Sequence, residues 1–126
     1  MFTVFKVDDE YRYQQMGSIE ETGEVLRVTR TGEITIGFFS TDGIVSKLFG
    51  KHIRQIGRVS HEKIIDGSDQ KIAEITIENH IALIWNNSQK LIGKVHPIIE
   101  VKRDHFQNSL LRAASAAATL LLINPK

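Results

Sequence analysis

The stretch from His105 to Ile123 constrains the fold more than any other part of the chain. It contains neither glycine nor proline, Asp104 and Gln107 can cap its start, and Asn124-Pro125 stops it. One helix about 28 Å long is predicted. Phe106, Leu110, Ala113, Ala114, Ala117, Leu120 and Leu121 form one stripe on it, and Ala116, Ala118, Leu122 and Ile123 cover much of the rest. Only Asn108, Arg112, Ser115 and Thr119 make a narrow polar line. A helix that is apolar on nearly every side is buried on nearly every side. A bilayer span needs about twenty apolar residues, and Arg112, Ser115 and Thr119 interrupt this run, so no transmembrane segment is expected. Burial inside its own domain is the remaining solution. Covering Phe106, Leu110, Leu111, Leu120, Leu121, Leu122 and Ile123 contributes on the order of 10 to 20 kcal/mol, an upper bound from transfer energies.

The rest of the chain supplies the cover. Runs rich in Val, Ile, Thr and aromatic residues recur between polar turn clusters, the pattern of antiparallel β structure. The candidate strands are Phe2–Val7, Tyr11–Met16, Glu24–Thr29, Glu33–Phe39, Ile44–Phe49, Ile53–Val59, Lys63–Asp66, Gln70–Ile77, Ile81–Trp85, Lys90–Val95 and Ile98–Lys102. Arg30-Thr31-Gly32, Thr41-Asp42-Gly43, Asp66-Gly67-Ser68-Asp69 and Asn86-Asn87-Ser88 between them carry the residue types that tight turns require. Alternation places Ile34, Ile36 and Phe38 on one face of their strand.

A faint repeat runs through the second half. Arg54-Gln55-Ile56-Gly57-Arg58-Val59, Gln70-Lys71-Ile72-Ala73-Glu74-Ile75 and Lys90-Leu91-Ile92-Gly93-Lys94-Val95 each put a small residue and a β-branched one on the same strand face. Three strands of one meander can share such a composition, and a glycine within a strand marks either a bulge or a close approach. The slender, alanine-rich helix is a candidate for what approaches. An eight-stranded barrel is filled by its own side chains, whereas a wider one leaves a lumen. The reading is a mainly β single domain over residues 1–126, an antiparallel barrel of about 11 to 12 short strands with a largely buried C-terminal helix.

With Ile92-Gly93-Lys94-Val95, then Asp104-His105-Phe106, then the Ala/Leu-rich run from Ala113 to Asn124, the C-terminal third resembles the tubby-like superfamily. That superfamily includes tubby C-terminal domains, LURP-one-related proteins and phospholipid scramblases. The resemblance implies a closed barrel of about twelve strands around a central helix, and the phosphoinositide binding of tubby domains through exposed basic residues. A pleckstrin-homology-like barrel of about seven strands is the competing architecture, its amphipathic C-terminal helix capping one end.

Lys plus Arg number 16 against 15 for Asp plus Glu, which removes the basic footprint of a nucleic-acid binder, and none is expected as a partner. The absence of cysteine excludes disulfides and thiolate metal sites. Met1 to Glu10 has no secretory pattern, so cytoplasmic residence is expected and the sequon Asn86-Asn87-Ser88 is discounted. His52, His61, His80, His96 and His105 show no metal-ligand spacing, and no serine sits in a nucleophile motif. Catalytic residues, metal and cofactor are therefore not expected. Trp85 ends an apolar run and is read as a core residue.

Lys47, Lys51, Arg54, Arg58 and Lys63 stand with a single acid, Glu62. Alternation gives Arg54 and Arg58 one face, and Lys90 and Lys94 one face of another strand, so two basic faces could converge on phosphate or anionic headgroups. A solvated surface balanced by Glu74 and Glu100 is the plain alternative. The expected function is a non-enzymatic binding module for an anionic lipid surface or a protein partner. The alternative is an oligomeric structural or scaffolding protein with a pleckstrin-like barrel, built through the helix or an edge strand. An enzyme would betray itself by a deep pocket around a perturbed histidine or carboxylate.

Overall fold

Buried and exposed residues alternate along most of the first 97 residues, and each apolar set is turned toward a common axis. The computed structural model describes residues 1–97 and 105–124. Its elements are β1 (Phe2–Val7), β2 (Tyr13–Ile19), β3 (Glu24–Thr29), β4 (Gly32–Phe39), β5 (Ile44–Phe49), β6 (His52–Ser60), β7 (Lys63–Asp66), β8 (Lys71–Glu78), β9 (Ile81–Asn86), β10 (Leu91–Pro97), α1 (His105–Ala118) and a π-helical turn, Thr119–Ile123. Each strand pairs antiparallel with its neighbours in sequence, and β1 pairs with β10, so ten strands close a barrel. The expected strand Ile98–Lys102 lies outside the described residues, and the barrel closes without it.

Five hairpins build the wall, and they share one device. Val4, Val25, Val45, Ile64 and Ile84 face Gly17, Gly37, Gly57, Ala73 and Gly93 across each hairpin. Beside each pair the register skips one residue: Met16, Ile36, Ile56, Ile72 or Ile92. These are five β-bulges at one level of the barrel. A bulge bends and twists its strand, and five of them curl short strands into a closed ring around a lumen. The skipped apolar residues pack against the core, and the small residues are buried.

The helix fills that lumen. From Ala113 to Ile123 no side chain is more than 7% exposed. The small residues are what let it in: a Cβ on Gly37, Gly57 or Gly93 would lie 2.7, 2.6 or 2.2 Å from a side-chain carbon of Leu121, Leu120 or Ile123. α1 packs against β4, β5, β6, β8, β9 and β10, and the π turn against β1, β2 and β10, so walls surround it. Of the polar line, Ser115 and Thr119 are buried too, while Asn108 and Arg112 are half-buried. Ser115 Oγ donates to the Leu111 carbonyl at 2.7 Å and Thr119 Oγ1 to the Ser115 carbonyl at 2.9 Å. Each hydroxyl is thus satisfied by its own helix. The helix threads the barrel and is its core.

The turns inside the hairpins gather at one end, called here the hairpin rim, and those between hairpins at the other. Leu120 and Asn124 lie beside Gly67 and Ser68, which places the helix C-terminus at the hairpin rim. Asp8, Asp66 and Asn86 build alike turns there, each accepting two backbone N–H groups on Oδ1. Among the described residues no helix is long and apolar enough to cross a membrane.

Candidate functional site

The bulges reset which residues point outward, and the basic residues are redistributed accordingly. Arg58 lies opposite Ile44 and Arg54 opposite Lys47, with the skipped Ile56 between them. Val45, between Ile44 and Lys47 in this register, is fully buried and faces inward, so Arg58 turns outward and Arg54 turns toward the lumen mouth. The shared face expected for Arg54 and Arg58 is therefore corrected: a bulge shifts the phase of alternation by one. The same shift at Ile36 separates Ile34 from Phe38, which lies outward opposite Glu24 and Ser46.

Nor do the two basic strands converge. β10 and β6 are separated by β9, β8 and β7, so Lys90 and Lys94 stand on a different side of the barrel from Arg54 and Arg58. Three of the four have other partners. Arg58 pairs with Asp69 at 2.6 Å, Lys90 pairs with Asp9, and Lys94 sits 4.8 Å above the Tyr13 ring. Beside Lys94, His96 meets the Phe5 ring edge-on at 5.3 Å. Burial, and then the Lys94 charge, hold the His96 imidazole below its ordinary pKa. Trp85, expected in the core, is half-buried on the outer face, its Nε1 donating to Thr76 Oγ1 at 2.8 Å.

A different constellation forms at the hairpin rim, on the adjacent hairpins β3–β4 and β5–β6. Val28, Ile34, Phe49 and Ile53 are 44%, 52%, 46% and 61% exposed there. Residues 27–35 and 47–55, which carry them, hold five cations, Arg27, Arg30, Lys47, Lys51 and Arg54, and one acid, Glu33. Glu33 is engaged from the side by the Ser18 hydroxyl at 2.6 Å. Lys47 lies 5.2 Å from the Phe49 ring centre and directly across the ladder from Arg54. Like charges in directly opposed positions destabilise a sheet. Arg27 Nη2 reaches the Leu121 carbonyl at 3.3 Å, where it complements the negative end of the helix. Next to this surface a cavity of about 330 Å³ opens at the mouth, lined by Arg54, Gln55, Asp66, Ser68, Leu120 and Asn124.

Of the four expected site residues, only Arg54 belongs to this constellation; Lys90 lies at the same end of the barrel, in the β9–β10 turn. Val28, Ile34, Phe49 and Ile53 gave no sequence signal, because strand alternation makes an apolar residue at a strand end look like core. Among the described residues, no group of three His, Cys, Asp or Glu side chains is placed to hold a metal ion. No family model matches the chain, and neither a curated protein nor a solved structure is similar to it.

Proposed function

We propose that the protein is a non-enzymatic binding module that docks on anionic lipid surfaces through its hairpin rim. One observation carries the reading: four exposed apolar side chains stand among five cations and one acid at the end of a closed barrel. Apolar tips ringed by Lys and Arg suit the boundary between headgroups and acyl chains, where Phe and Ile insert and the cations meet phosphate. Each cation near an anionic leaflet contributes about 1 kcal/mol, a contribution that salt screens. The leaflet of that character is the cytoplasmic one, so this reading goes with the expected cytoplasmic residence.

Two routes to the alternative, an oligomeric scaffold, are occupied within the fold. Among the described residues the closed barrel leaves no unpaired strand edge, and residues 113–123 of the helix are buried inside it. A second copy would have to use the outer wall or a rim.

Vesicle co-sedimentation tests the proposal. The protein should pellet with phosphatidylcholine vesicles containing phosphatidylserine, stay in the supernatant with phosphatidylcholine alone, and be released by high salt. The Lys51→Glu/Arg54→Glu double variant should bind at least about tenfold more weakly, and so should Phe49→Ser/Ile53→Ser. Because all four positions are exposed, the variants should keep the wild-type melting temperature. Equal binding by both variants, or none by the wild type at low salt, would reject the rim.

A further inference from the structure

On the outer wall, on a different side of the barrel from the β3–β6 surface, lies a groove of about 340 Å³ between β8, β9 and the β9–β10 turn. We infer that this groove binds a neutral oligosaccharide, one pyranose ring lying on the face of Trp85 and its hydroxyls held by Glu74, Asn87 and Gln89. Trp85 is the chain's only tryptophan, and it lies on the outer face directly opposite Glu74. Its ring is fixed in place by the Nε1 bond to Thr76 Oγ1. A held indole face that is apolar but not fully covered suits the C–H face of a sugar, which is itself apolar on one side and polar at its rim.

The remaining lining has the matching chemistry. Lys71 and Glu74 pair with each other, so the residues that line the groove carry no net charge, while Lys63 stands across the ladder from Glu74. The Lys71 hydrogen bond, and then its charge, hold the Glu74 carboxyl below the usual carboxylate range. At neutral pH it is an acceptor for hydroxyl donors. The Asn87 amide donates to the Lys71 carbonyl at 3.0 Å, which ties the turn to β8 and sets the groove's width while leaving its own oxygen as an acceptor. Gln89 sits at φ +61°, a left-handed conformation favoured by glycine or asparagine, and adds a donor and an acceptor at the open end. Amides with a charge pair around an aromatic face offer paired donors and acceptors, as vicinal hydroxyls require.

The single tryptophan makes the test direct, since its fluorescence reports this groove alone. Cello-, malto- and chito-oligosaccharides are titrated into the full chain, with lactosylceramide in phosphatidylcholine vesicles as a second arm to separate a free glycan from a glycolipid head. At least one should give a saturable shift with a dissociation constant of about 1 mM or tighter. Asn87→Ala and Gln89→Ala, which leave Trp85 as the reporter, should each weaken it about three- to tenfold. Fluorescence indifferent to every neutral probe would overturn the inference. So would saturation by a sulfated heparin oligosaccharide alone, or binding unchanged in both variants. Because the rim variants leave this groove intact, failure of either site can be told from failure of the other.

Discussion

Replacing Ala117 by aspartate should abolish folding. Ala117 is fully buried at the middle of the threaded helix, flanked by Ala116 and Ala118, which are also 0% exposed. A carboxylate there would have no cation and no water. Burying an unpaired charge costs several kcal/mol at least, which is a large part of the roughly 5 to 15 kcal/mol that stabilises a domain of this kind. Ser109→Asp is the matched control, an exposed position in the same helix, where an acid is tolerated. Circular dichroism during urea unfolding should show a cooperative transition for Ser109→Asp and none for Ala117→Asp. A helix lying across the outside of the barrel would tolerate both.

The second large effect comes from a single methyl group in the wall. A Cβ on Gly17 would lie 2.0 Å from the Leu26 carbonyl oxygen and 3.2 Å from the Arg27 Cα. These are backbone atoms of the neighbouring strand, so no side-chain rotation relieves the clash. Gly17→Ala should therefore cost about 2 to 3 kcal/mol and lower the melting temperature by roughly 10 °C. The fourth hairpin already carries an alanine at the corresponding position, Ala73, fully buried opposite Ile64. Ala73→Gly should cost only about 1 kcal/mol, from chain entropy and lost contact. A melting temperature for Gly17→Ala equal to wild type would mean that the bulged hairpins are not as tightly apposed as described.

What sequence conveyed and what it concealed have the same source. Composition along each strand was enough to place β1, β3, β5 and β7 at their observed bounds, and the nearly all-round apolar character of the C-terminal helix was enough to predict that it is largely buried, but not to decide between threading the barrel and capping it. Three of the five apolar–small pairs, at Ile56-Gly57, Ile72-Ala73 and Ile92-Gly93, were visible as a repeat. Met16-Gly17 and Ile36-Gly37 were not: Met16 stands where the other units have isoleucine although Ser18 and Ile19 follow the same pattern, and Phe38-Phe39 after Gly37 break it. The repeat's meaning was concealed as well. A bulge adds one residue to one strand without altering its composition, yet beyond it every side chain changes face. That inversion separated Arg54 from Arg58. The rim escaped notice for a related reason: exposure of Phe49 and Ile53 depends on where the barrel wall ends, and a linear pattern does not record it.

Which end of the barrel meets the bilayer can be read by moving the only tryptophan. In a Trp85→Phe background, Phe49→Trp places the reporter at the hairpin rim and Thr41→Trp places it in the β4–β5 turn at the opposite end. With vesicles containing phosphatidylserine and chain-brominated lipid, fluorescence should be quenched for tryptophan at position 49 and unaffected at position 41. Quenching at 41 with none at 49, or at neither position while the protein still sediments with the vesicles, would contradict docking through the hairpin rim.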